Sequence, residues 1–163
     1  MTPKAEAWLG IFYLTGVEQN GQLRVDSVLS GESEAIFAYM VRELKLRQLI
    51  KVMIGGEIIE TTVGRILFNE ILPVKYRFEN KQVKGSDLVK IVDRTIRELG
   101  EAEAVRLIDS IKNIGFRYAT RSGLSMSISD AATIPQKGRL IAGWETQAED
   151  IEKNGRRGLT AKA

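Results

Sequence analysis

Along this chain the apolar positions switch repeatedly between a helical and an extended period. Over residues 3–14, Trp8, Leu9, Phe12 and Tyr13 recur at helical spacing with Pro3 near the first turn, which predicts a short helix. Residues 17–28 carry Asn20-Gly21 between β-prone pieces, the pattern of a hairpin. Ser30 then stands where it can cap a helix with Glu32 and Glu34 in its first turn, and Ala35, Ile36, Tyr39 and Met40 should face a core. Residues 49–63, LIKVMIGGEIIETTV, read as two strands folded about Gly55-Gly56, with Thr61, Thr62 and Val63 finishing the second. Gly64 lets the backbone turn, and Ile66 to Leu72 form a short helix that stops before Pro73.

After Pro73 the residues alternate, with Val74, Tyr76 and Phe78 on one face and Lys75 and Arg77 on the other, as in an extended connector or edge strand. Ser86 is placed to cap a helix striped by Leu88, Val92, Ile96 and Leu99 and ended by Gly100. The next helix uses Ala104, Ile108, Ile111 and Ile114, with Gly115 as a left-handed stop; the short connection makes the two antiparallel neighbours. LSMSISD, residues 124–130, alternates like a half-buried strand. Leu140, Trp144, Ala148 and Ile151 stripe a last helix that begins near Gln136. The expected fold class is α+β, mainly helical, with short antiparallel strands and hairpins.

Composition narrows the chemistry. The 163 residues are 44% hydrophobic and 28% charged, enough for a packed core without staples. There is no cysteine and no histidine, so disulfides, thiolate zinc sites, cysteine nucleophiles and the usual neutral-pH base are all excluded. The carboxylates Asp87, Asp93, Asp109, Asp130 and Asp150 are scattered along the chain, which is no pattern for a two-metal centre. No phosphate-binding glycine loop or nucleophile elbow is present, so the expected catalytic set is none and the expected metal set is none. A net charge of +3 is mild beside that of dedicated nucleic-acid binders. Without a signal-peptide pattern or an eighteen-residue apolar run, the expected location is intracellular and reducing.

Two stretches stand out. In the first, residues 60–73, Arg65 follows Gly64 near a helix N-terminus, where the dipole disfavours a cation. Such an arginine either meets a carboxylate or phosphate or extends its head into water. In the second, GFRYATRSG at 115–123, Arg117 and Arg121 bracket Tyr118, and Gly115 and Gly123 bracket the whole. Interleaved cations and aromatics suit nucleic acid, but for one short instance a helix-to-strand turn with two solvated arginines is the simpler reading.

These strings carry a resemblance. ETTVGRILFNEILP, with Thr61, Thr62, Val63, Gly64 and Arg65, resembles a signature of the β′ (largest) subunit of bacterial multisubunit RNA polymerase. GFRYATRSGLSMSI, with Gly115, Phe116, Ser122 and Gly123, resembles a second signature of the same subunit. LGIFYLT, SEAIFAY, IKV, the trio Phe78, Asn80 and Lys81, IVDR, RELG and RRGLT fall in the family's order from about Pro3 to Thr160. The chain departs from the family at Ala5-Glu6-Ala7, at Arg42 and Arg47 (where a glycine and a histidine are common), at Lys75 and Arg77, at Ser129-Asp130 and at Gly155.

The resemblance implies a fragment of DNA-directed RNA polymerase, a nucleotidyltransferase, that lines the secondary channel and contacts other subunits. Residues 1–82 would form a pore-like α+β region, and 83–163 a helical, truncated funnel-like region whose last helix is a rim helix. The aspartate loop that holds catalytic Mg2+ would lie upstream, the bridge helix and trigger loop downstream, and structural Zn2+ elsewhere in the enzyme. This chain alone would be inactive. Implied partners are the β, α and ω subunits, the rest of β′, DNA, RNA and nucleotides through the assembly, and transcript-cleavage or other secondary-channel factors, with no membrane. The implied location is cytoplasmic and nucleoid-associated. Arg65, Arg117, Tyr118 and Arg121 are the channel or interface candidates, with Arg65 expected to meet an acidic group outside this chain. The alternative is a stand-alone regulatory module of the same descent that binds nucleic acid or polymerase.

Overall fold

The computed structural model describes residues 5–18, 28–76, 78–124 and 135–157; the hairpin expected about Asn20-Gly21 lies outside them, as does the strand expected at LSMSISD after Leu124. In chain order the elements are α1 (Ala5–Thr15), β1 (Val28–Leu29), α2 (Glu32–Met40), β2 (Ile50–Ile54), β3 (Glu57–Thr61), α3 (Val63–Asn69), α4 (Gly85–Leu99), α5 (Glu101–Ser122) and α6 (Lys137–Arg156). The described chain is thus mainly helical with one small sheet. It divides into two compact units, 1–124 and 125–163.

β2 and β3 form the expected hairpin, in register from Ile50↔Thr61 to Ile54↔Glu57. Gly55 and Gly56 take φ of 60° and 89°, the two positive angles that a two-residue turn needs and that glycine adopts without a steric cost. β1 joins β2 in parallel, through Val28↔Lys51 and Leu29↔Val52, so the three-stranded sheet is mixed. The strand ends at Thr61; Thr62 and Val63 do not extend it. Thr62 is the N-cap of α3, its hydroxyl accepting from the Arg65 N–H at 3.2 Å, and Val63 opens the helix. α3 therefore runs three residues earlier than its apolar pattern suggests.

Two apolar cores meet at α3. Ala35, Ala38, Ile50, Val52, Val63 and Ile66 close the space between α2, the sheet and α3. Ile11, Leu14, Phe68, Leu88, Leu107 and Ile111 close the space between α1, α3, α4 and α5. Leu67 packs against both. Only the small residues of α2 turn fully inward: Ile36 and Tyr39 are half-buried, and Met40, expected in the core, is 72% exposed.

The helix starts differ from the serine signals. Gly31 is the N-cap of α2, and Ser30 stands one residue outside it, donating from both N–H and Oγ to Glu34 Oε2 at 2.6 Å. α4 starts at Gly85 and not after Ser86; the Lys84 N–H donates to Asp87 Oδ2 at 3.0 Å, and Lys81 Nζ adds a bond to Asp87 Oδ1 at 3.0 Å. The inward face of α4 is Leu88, Ile91 and Thr95, while Ile96 is 43% exposed. Residues 74–76 make a turn and not an edge strand. The Tyr76 N–H closes it onto the Pro73 carbonyl at 2.9 Å, Val74 is wholly exposed, and the Tyr76 hydroxyl lies 2.9 Å from Thr95 Oγ1.

Gly115 is the clearest correction. It does not end a helix; α5 runs through it for a further seven residues, and the left-handed stop is Gly123 at φ 62°. In the second unit, α6 begins at Lys137 as expected and has no buried residue.

Candidate functional site

The glycines of the unusual stretches converge on α1. A Cβ on Gly64 would lie 2.0 Å from the Leu14 carbonyl oxygen, and one on Gly115 would lie 2.5 Å from the Ala7 carbonyl oxygen. One on Gly10 would lie 1.8 Å from the Gly115 carbonyl oxygen and 2.7 Å from the Ala119 nitrogen. These distances fall far inside van der Waals contact with backbone that has no rotamer to yield. Gly10 and Gly115 let α1 and α5 cross backbone to backbone, and Gly64 lets α3 start against the end of α1. The Gly64 N–H also donates to the Leu46 carbonyl at 2.9 Å.

Arg65 follows from that approach. Its backbone sits in the first turn of α3, but its guanidinium reaches out of that helix. Nε donates to the Thr15 carbonyl at 3.0 Å, and Nη1 donates to the Asn80 carbonyl at 3.2 Å and to Asn80 Oδ1 at 3.0 Å. Thr15 is the last residue of α1, so the cation that opposes the dipole of α3 complements that of α1, which has no basic residue of its own in its last turn. Burial pushes the Arg65 pKa below its ordinary value. The expected acidic partner outside the chain is not needed to hold this side chain: carbonyls and an amide already engage it. Asn80 Nδ2 continues the tie to the Glu60 carbonyl at 2.7 Å, and Thr15 Oγ1, donating to Ile11, accepts from the Val83 N–H at 2.9 Å.

The second set lies along α5. Tyr118 is 5% exposed and packs in the α1–α5 core; burial raises its phenol pKa against the pull of Arg121 and Arg117. The Arg121 guanidinium stands 5.9 Å from the centroid of the Tyr118 ring and donates to the Tyr39 hydroxyl at 3.2 Å, which ties α5 to α2. Arg117 is exposed at the mouth of an open cleft of about 290 Å³ between α3 and α5, lined by Leu67, Glu70, Ile71, Ile114 and Tyr118 among others. Phe116 is 38% exposed. Ser122 and Gly123 end the helix: Ser122 Oγ donates to the Ala119 carbonyl at 2.7 Å and accepts from the Leu124 N–H at 3.1 Å. Thr61 and Thr62 are buried beneath the α3 N-terminus.

The candidates thus separate. Arg65 and the motif glycines fix the frame, whereas Arg117 and Arg121 present charge on one helix, four residues apart. Sequence reasoning missed Gly10, Thr15, Asn80 and Tyr39. Gly10 and Thr15 lie inside LGIFYLT, and an interrupted apolar stripe was the available signal; nothing local marks Asn80 or Tyr39 as partners of distant arginines.

Among the described residues no group of three or more carboxylates could hold a metal ion. The donor set, without cysteine or histidine anywhere in the sequence, does not fit zinc either. No helix among the described residues is long and apolar enough to cross a membrane.

The family model "RNA polymerase Rpb1, domain 3" matches residues 2–131. The chain is 39% identical over 158 residues to the DNA-directed RNA polymerase subunit beta′ of Desulforudis audaxviator, covering 96% of this chain and 14% of that protein. It is 39% identical to the same subunit of Pelotomaculum thermopropionicum, over 96% of this chain and 13% of that protein. Against that of Desulforamulus reducens the identity is 38%, over 97% and 13%. The chain therefore spans about one seventh of the length of the relatives it matches. With the family model over residues 2–131 and 39% identity across 96% of its length, the chain belongs to the RNA polymerase Rpb1 domain 3 family and corresponds to a region of the β′ subunit.

Proposed function

We propose that this chain serves transcription as a wall-forming region of a DNA-directed RNA polymerase, lining the secondary channel by which nucleotides and cleavage factors reach the reacting centre. The observation that carries this reading is the match along 96% of the chain to β′ subunits. In this reading residues 1–82 supply the pore-like part and 83–163 the funnel-like part, with α6 as a rim helix. The β, α and ω subunits and the rest of β′ are the partners, nucleic acid and nucleotides pass through the assembly, and the setting is the cytoplasm and nucleoid. Nucleotidyl transfer by the whole enzyme would use Mg2+ held by side chains outside this region, and structural Zn2+ would likewise sit elsewhere.

The chain's own contribution is shape and charge. The α1 crossing holds α5 at a fixed distance, and α5 presents Arg117 and Arg121 as cations for passing phosphates or for a protein carboxylate.

Two measurements test the reading. Affinity purification of the tagged chain from its own cells should recover the β subunit; recovery of the chain with no polymerase subunit supports the stand-alone module instead. In polymerase carrying Arg117→Ala with Arg121→Ala, the KM for nucleotides should rise severalfold while kcat stays unchanged, the signature of lost substrate delivery. Unaltered KM and unaltered response to cleavage factors would end the channel-lining role.

A further inference from the structure

We draw no further inference here: the strongest candidate, the cleft between α4 and the segment after α3 where Lys81, Lys90 and Arg94 gather beside Tyr76, carries nothing, because Asp87 and Glu98 already pair with Lys81 and Arg94 and nothing in the structure shows which ligand would fill it.

Discussion

Gly64 and Leu14 lie so close that no side chain fits between them: a Cβ on the glycine would stand 2.0 Å from the leucine carbonyl oxygen. The same condition holds for Gly115 against Ala7. Gly64→Ala and Gly115→Ala should each cost roughly 3 kcal/mol, at or above the upper end of ordinary overpacking, because backbone must move to admit the methyl. In urea unfolding the midpoint should fall with the slope unchanged. Gly143→Ala is the contrast: nothing lies within 4 Å of that site in α6, so the alanine should raise helicity, by about 1 kcal/mol.

Arg65 and Asn80 form the tie beneath that approach. Arg65→Lys should destabilise by about 1.5–3 kcal/mol, since one ammonium cannot serve the Thr15 carbonyl and both Asn80 oxygens in the geometry of the guanidinium fork. A double-mutant cycle with Asn80→Ala should return a coupling of about 1 kcal/mol. A coupling near zero would mean that the tie does not hold in solution.

Arg42 has φ 65°, the sole positive value outside glycine among the described residues. It follows α2, where the Glu43 N–H closes onto the Ala38 carbonyl at 2.9 Å. A left-handed non-glycine residue costs roughly 1–2 kcal/mol, and the extra entropy of an unfolded glycine gives back about 0.5–1 kcal/mol. Arg42→Gly should therefore stabilise the chain by about 0.5–1 kcal/mol, read as a higher melting temperature.

Asp87 titrates below the usual carboxylate range, first because the Lys84 N–H donates to it and next because Lys81 does. A carboxylate with a depressed folded pKa stabilises above its unfolded value of about 3.9 and loses that contribution as pH falls through the folded value. Asp87→Ala should cost about 1 kcal/mol at pH 7, the worth of a helix-start carboxylate. The gap between variant and parent should narrow as pH falls from the unfolded value through the lower folded one. A gap that does not narrow on acidification would assign the effect to packing.

The seam between β3 and α3 shows what local pattern could and could not reveal. The paired glycines 55 and 56 were legible because a tight hairpin needs two positive φ values in sequence. Gly115 was misread because glycine has two uses, a left-handed turn and a close backbone approach, and periodicity along one helix does not report the second. Its partner backbone at Ala7 lies more than a hundred residues away. Arg65 is a parallel case: read within α3 its charge is misplaced, and read across to Thr15 it is well placed. Val74, Tyr76 and Phe78 alternate without making a strand because the chain turns at Pro73 and, among the described residues, no strand pairs with them. The sequence treats the arginines of α5 alike, and only the fold distinguishes Arg121, tied to Tyr39, from Arg117 at an open cleft.

The crossing of α1 and α5 also sets a clock. During synthesis α1 leaves the ribosome long before Gly115 can meet it, and at about 5–20 residues per second the wait for those hundred-odd residues is on the order of ten seconds. Through that interval Ile11 and Leu14 lack the neighbours that α5 supplies, Leu107 and Ile111, and a pause placed between α1 and α5 lengthens the time in which that apolar helix can be captured by a wrong partner.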